Sequence, residues 1–234
     1  MNALLLLLLD GRAPAGAHAH SGGLEAAVTA GIVGDVDDVR AFCRGRLRTS
    51  GRVAAAFAAA ACAAWPAGPA RPSGPSGPSG DWRTLHAELD ARMPAEAMRT
   101  ASYAMGAGLR RLLHSLAADL TVLGDPVHHP VALGSGVAFA GGTPEDAARA
   151  AALGVCTSAA SAAVRLLGLD PYAVQGLLAE LAPEIDTLAT RSCNFGPPDA
   201  AEGCTIAKLP ADSAPGLDLL ADVHLTQEVR LFAS

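Results

Sequence analysis

Of the seven histidines in this 234-residue chain, four stand in close pairs, His18 with His20 and His128 with His129. Imidazole suits two kinds of chemistry: a neutral ring nitrogen binds borderline divalent metals, and the ring exchanges a proton near neutral pH. Side chains two apart in an extended turn share a face, so His18 and His20 supply half of a coordination sphere. An exposed or capping role is the alternative for both. His128 and His129, with the nearby acid Asp125, are what a small helical enzyme would use, and that reading requires a concave pocket in which they converge with shifted pKa values. The alternative is structural, because Pro130 favours extended backbone before it and a helix after it.

Other chemistries are excluded. The single lysine, Lys208, follows no glycine loop and precedes Leu209, so the chain is not itself a P-loop nucleotide hydrolase. Gly134-Ser135-Gly136 lacks the third glycine and the preceding strand of a dinucleotide fingerprint. Neither GxSxG nor HExxH occurs. Cys43, Cys62, Cys156, Cys193 and Cys204 are odd in number and lack zinc-ligand spacing, so they read as reduced, mostly core thiols. A metal-storage or sensor protein needs a closed ligand set that the sequence does not display. With a net charge of -6 there is no global positive field to draw nucleic acid.

The elements that must position these residues are helical. Half of the residues are hydrophobic but only 4% aromatic, and alanine and leucine dominate, which predicts an all-α, single-domain helical bundle spanning 1–234. Residues 1–9 imitate a secretory signal without a basic residue before the apolar run, and predict a buried first helix in a cytoplasmic protein. The longest wholly apolar run, 53–65, has thirteen residues against the roughly 20 that a bilayer requires. Asp35 and Asp38 open a helix with Val36, Val39, Phe42 and Cys43 on one face, continuing towards Trp65. Asp81 opens another, and Pro94 leads a core helix through Met98, Met105, Leu109, Leu112, Leu113 and Leu116. Thr143-Pro144-Glu145-Asp146 and Asp170-Pro171 are start signals for two more, the second kinked or restarted at Pro183. Residues 66–80, with three Pro-Ser-Gly triplets, predict a flexible loop. Residues 192–212 read as a loop, and 213–234 as a tail of mixed apolar and charged residues.

Residues 10–25 read DGRAPAGAHAHSGGLE. Pro14 and Gly16 force a turn after the first helix, and Ser21 can cap a helix running through Glu25. This run resembles the opening signature of the urease accessory protein UreF family in its histidine-bearing, actinobacterial form. Asp90-Ala-Arg92 with Arg99, Ser102, Met105-Gly106 and Leu109 is similar to the family's second block, residues 129–134 (HPVALG) to its third, and residues 219–234 to its C-terminal tail. Many members have Phe-Ser-Tyr-Ser-Gln-Gly-Leu-Glu where this chain has residues 18–25, so contacts through those aromatic and glutamine side chains do not transfer.

The resemblance implies an all-helical, non-catalytic protein without a cofactor. It implies a homodimer that acts with UreD (UreH) and the GTPase UreG to deliver nickel into apo-urease. The implied partner-binding residues are Pro14, Gly16, His18, His20, Ser21, Glu25, Arg99, Arg165, Leu225, Arg230 and Phe232. Glu25 and Arg99 are expected either as a fixed ion pair or as separate solvated charges, and Arg165 either touches a partner or complements its helix dipole. The apolar residues of 213–234 either order on a partner or form an ordinary last element of the core.

Overall fold

The computed structural model describes residues 2–10, 13, 20–65, 82–116, 118, 123–195, 206–224 and 231–232. Among them the fold is all-α: α1 Ala3–Leu9, α2 Leu24–Thr29, α3 Val36–Arg48, α4 Ser50–Ala64, α5 Trp82–Ala91, α6 Glu96–Ser115, α7 His129–Phe139, α8 Pro144–Leu167, α9 Pro171–Ser192 and α10 Pro215–His224. The loop predicted at 66–80 and the opening residue Asp81 lie outside the described residues.

Helix α4 is the hinge of the packing, because nearly all of its alanines, Ala54 and Ala63 excepted, are buried. One side joins α1, α5, α6 and α7 around Phe57, Leu85, Leu89, Leu109 and Leu113. The other joins α2, α3, α8 and α9 around Phe42, Leu177, Leu181 and Ile185. Small side chains let helix axes approach closely, and α7 takes this to its limit. A Cβ at Gly134 would stand 2.1 Å from the Ala58 carbonyl oxygen, so only glycine lets α7 lie on α4 there.

The start signals act as the side-chain chemistry demands. Asp35 accepts from the Asp38 amide, and Thr143 and Asp146 form a reciprocal capping box on α8. Asp170 accepts from the Tyr172 amide, 3.0 Å away. Four expectations change. Helix α3 does not continue to Trp65 but breaks at Thr49, whose hydroxyl turns back to the Gly45 carbonyl, so that α4 can redirect into the core. The first helix is not wholly buried: Asn2 caps it, Leu5 and Leu8 face inward, and Leu6 and Leu7 face outward. Helix α6 begins at Glu96 rather than Pro94, capped instead by Asp222, which accepts from the Ala97 amide at 3.0 Å and ties α10 to α6. Helix α9 does not restart at Pro183 but continues through it as one element.

By length and composition α8 is apolar enough to cross a membrane, which the thirteen-residue run at 53–65 is not. It packs against α2, α3, α4, α7 and α9, and its Arg149 pairs with Glu145, Asp146 and Asp186.

Candidate functional site

The segment entering α2 makes a sharp turn that the sequence encodes in two glycines. Gly22 and Gly23 both adopt left-handed backbone, at φ 62° and 88°, where a Cβ is strained. Ser21 is buried before them, and its Oγ accepts from the Glu25 amide at 3.3 Å. That turn drives the Glu25 carboxylate inward, where only 6% of the residue remains exposed.

Glu25 holds the other end of the chain. Its Oε1 accepts from the Leu231 amide at 2.8 Å and its Oε2 from the Phe232 amide at 2.9 Å. Hydrogen bonds to a charged acceptor are the stronger kind. Phe232 is buried in the α3/α8/α9 cluster, and the Arg165 guanidinium lies 4.5 Å from its ring centroid. Ser21, Glu25, Arg165 and Phe232 thus meet at one anchor for the C-terminus. The tail is divided by it: Phe232 belongs to the core, whereas Leu219, Val223 and Leu231 are 69%, 59% and 66% exposed.

Gly22→Ala tests the turn. The added Cβ would meet Arg46 Nη1 at 1.9 Å, and φ stays in the left-handed region. A loss of about 1–2 kcal/mol in urea denaturation is expected, and an unchanged midpoint would show that the turn tolerates a side chain.

Beside the anchor lies a cavity of about 440 Å³ between α4, α6, α8 and α9. Its wall includes His20, Arg46, Ser102, Met105, His129 and Phe232. Behind it His128 is fully buried, with Nδ1 3.0 Å from Ser102 Oγ and Nε2 3.1 Å from Asp90 Oδ1. Tyr103 stacks on the ring at 3.9 Å between centroids, and its hydroxyl donates to Asp90 at 2.7 Å. Burial pushes the His128 pKa down to about 4 against the opposing pull of Asp90. Burial, with the charge of His20 adding to it, pushes His129 down to about 4 as well.

The acid paired with His128 is therefore Asp90, on α5. Asp125 instead accepts from the Arg110 guanidinium at the surface, 2.7 Å away. The constellation Ser102, His128 and Asp90 contains the residue types of a nucleophile relay. A base with a pKa near 4 is poorly matched to proton abstraction at neutral pH, and satisfied buried polar groups commonly specify packing.

Arg99 does not pair with Glu25: its Nη1 donates to the carbonyls of Met93 and Pro94 at 2.6 and 2.8 Å, fixing the turn before α6. Pro14, Gly16, His18, Leu225 and Arg230 lie outside the described residues. Among the described residues no group of three His, Cys, Asp or Glu side chains is placed to hold a metal ion. Cys43, Cys62, Cys156 and Cys193 are free thiols, and burial pushes Cys62 up to about 12.

Arg46 belongs to no motif of the sequence. It follows Val39, Phe42 and Cys43 at helical spacing, which puts a guanidinium on the buried face of α3. That break in an apolar stripe was the available signal.

Fold and site together define an all-helical protein in which separated sequence blocks meet to anchor the C-terminal segment beside a cavity. The chain belongs to the UreF family. The family profile, described as UreF, matches residues 33–182. The chain is 41% identical over 233 residues to the urease accessory protein UreF of Mycobacterium sp. (strain JLS), covering 98% of this chain and 97% of that protein. It is 39% identical over 234 residues to the UreF of Mycobacterium marinum, with 99% and 98% covered. To the UreF of Mycobacterium tuberculosis strain H37Ra it is 35% identical, over the same shares. The anchor at Glu25 and Phe232 lies outside the profile match.

Proposed function

We propose that this chain is a non-catalytic, cytoplasmic scaffold of urease maturation. As a homodimer it binds UreD (UreH), UreG and the apo-urease subunits while nickel is delivered. The observation that carries this reading is the half-docked tail. Glu25 fixes Leu231 and Phe232, yet Leu219, Val223 and Leu231 keep their apolar side chains in solvent. An apolar surface of that kind is disfavoured alone and favourable against a partner. The anchor would hold the tail in position and the exposed residues would make the contact. A non-catalytic role fits the buried, weakly basic His128.

The test is co-expression of urease subunits and the other accessory proteins with the full chain, without it, or with a form lacking residues 225–234. Nickel in the purified urease is then measured by mass spectrometry. The expected order is full loading, then a large loss in both of the others. Equal loading in all three would defeat the assignment.

A further inference from the structure

Arg46 is 6% exposed, and no carboxylate lies within ion-pairing distance of it among the described residues. Its Nη1 donates to the Gly22 carbonyl, while its Nε is buried without a hydrogen-bond partner. A buried guanidinium left this way calls for an anion, since the charge has given up water and gained one carbonyl. Burial lowers its pKa, against the opposing pull of Cys43 on α3, Cys156 on α8 and Asp218 on α10.

Arg46 lines the cavity between α4, α6, α8 and α9. Arg92 lines it too, but that guanidinium is engaged with Glu88 and with the carbonyls of Ala207, Leu209 and Pro210. The remaining wall is chiefly apolar, with Val53, Ala54, Leu89 and the pliable side chains of Met93, Met98 and Met105. The volume of about 440 Å³ falls within the range of small-molecule sites.

We propose that this cavity binds a small apolar monocarboxylate, its head group on Arg46 and its hydrocarbon body among the methionines. A carboxylate pairs with the flat edge of a guanidinium through two parallel N–H donors, and the chiefly apolar wall favours one that carries a hydrocarbon body over a fully hydrated inorganic anion. The body that fits is a short hydrocarbon chain, in keeping with a cavity of small-molecule size. Asp218 marks the charged end: it shares a smaller adjoining pocket with Arg46, and its Oδ2 is buried without a partner. Asp218 is the competitor that an incoming carboxylate must displace from the field of Arg46.

Isothermal titration of octanoate, octanol and inorganic phosphate into the full chain tests this. Octanoate is expected to saturate one site at least tenfold more tightly than either control. Arg46→Gln should weaken octanoate tenfold or more and leave octanol unchanged, with circular dichroism confirming the fold. Ala54→Leu, which fills the apolar end without touching Arg46, should weaken octanoate as well. If Arg46→Gln does not fold, Ala54→Leu and Asp218→Asn decide, the latter expected to tighten octanoate. No saturation below about 10 mM, octanol binding as tightly as octanoate, or octanoate binding that ignores these substitutions would each overturn the proposal. None of these outcomes bears on urease maturation, so the two readings fail separately.

Discussion

Stability is expected to fall steeply as the pH is lowered from 6.5 towards 4, because two histidines are held neutral inside the fold. His128 and His129 both have pKa values depressed from 6.5 to about 4. In that window the unfolded chain takes up a proton on each ring and the native state does not, so protonation favours unfolding. The stability these rings allow is therefore complete above pH 6.5 and is lost as the pH falls through the window. At about 1.4 kcal/mol per pKa unit, the loss is on the order of 3 kcal/mol for each ring. Asp218 works against it, because burial raises its pKa and gives the native state a proton to gain. Urea denaturation followed by circular dichroism at pH 7, 6 and 5 measures the slope. His129→Gln should remove less than half of it, since burial also lowers the pKa of His86, while leaving the Ser102 and Asp90 contacts of His128 in place. A profile flat between pH 7 and 5 would mean that the rings are solvated or charged in the native protein.

Glu25→Ala is expected to free the C-terminus and to cost about 3 kcal/mol. Two backbone amides lose a charged acceptor, each such bond being worth about 1.5–3 kcal/mol, and Phe232 loses the frame that seats it. The released amides regain water, so the cost stays below the sum of the two bonds plus the burial of a phenyl ring. Glu25→Gln keeps one carbonyl acceptor and should cost about half as much. Arg165→Ala, which removes the cation over the ring, should cost about 1 kcal/mol. Amide hydrogen exchange reads the effect at its source: Leu231 and Phe232 should be protected in the native protein and exchange freely in Glu25→Ala. Under the proposed function the same variant should lose UreD (UreH) in pull-down, because the exposed apolar residues are no longer held in place. Retained protection at 231 and 232 would show that the tail is held by something other than this carboxylate.

How much of this was legible in the residues depends on whether the signal is local. The helix starts at Asp35, Thr143 and Asp170 were, because a capping oxygen reaches an amide two or three residues on and needs no tertiary partner. The all-α class was legible in the alanine and leucine content, and Leu109 and Leu113 of α6 in their spacing, while Met98, Met105, Leu112 and Leu116 of the same stripe are only partly buried. The role of Ser21 at the start of α2 was marked by residue type alone, whereas the left-handed turn at Gly22-Gly23 came only with the structure. Family membership followed from blocks whose order and spacing survive in the chain.

Other features were decided by packing. Sequence could name Glu25, Arg165 and Phe232 separately, but only the fold joins positions 25 and 232 by two hydrogen bonds and sets Arg165 over the ring. It likewise assigned His128 to Asp90 on α5 rather than to the nearer Asp125, and turned Arg99 to the carbonyls before α6. The break at Thr49 carries no strong local signal; it is set by the need of α4 to enter between two cores. The physical reason is common to all of these. Caps, turns and periodicity are fixed by interactions within a few residues, whereas the partner of a buried charge is fixed by which helices come together around it, and that is a property of the whole chain.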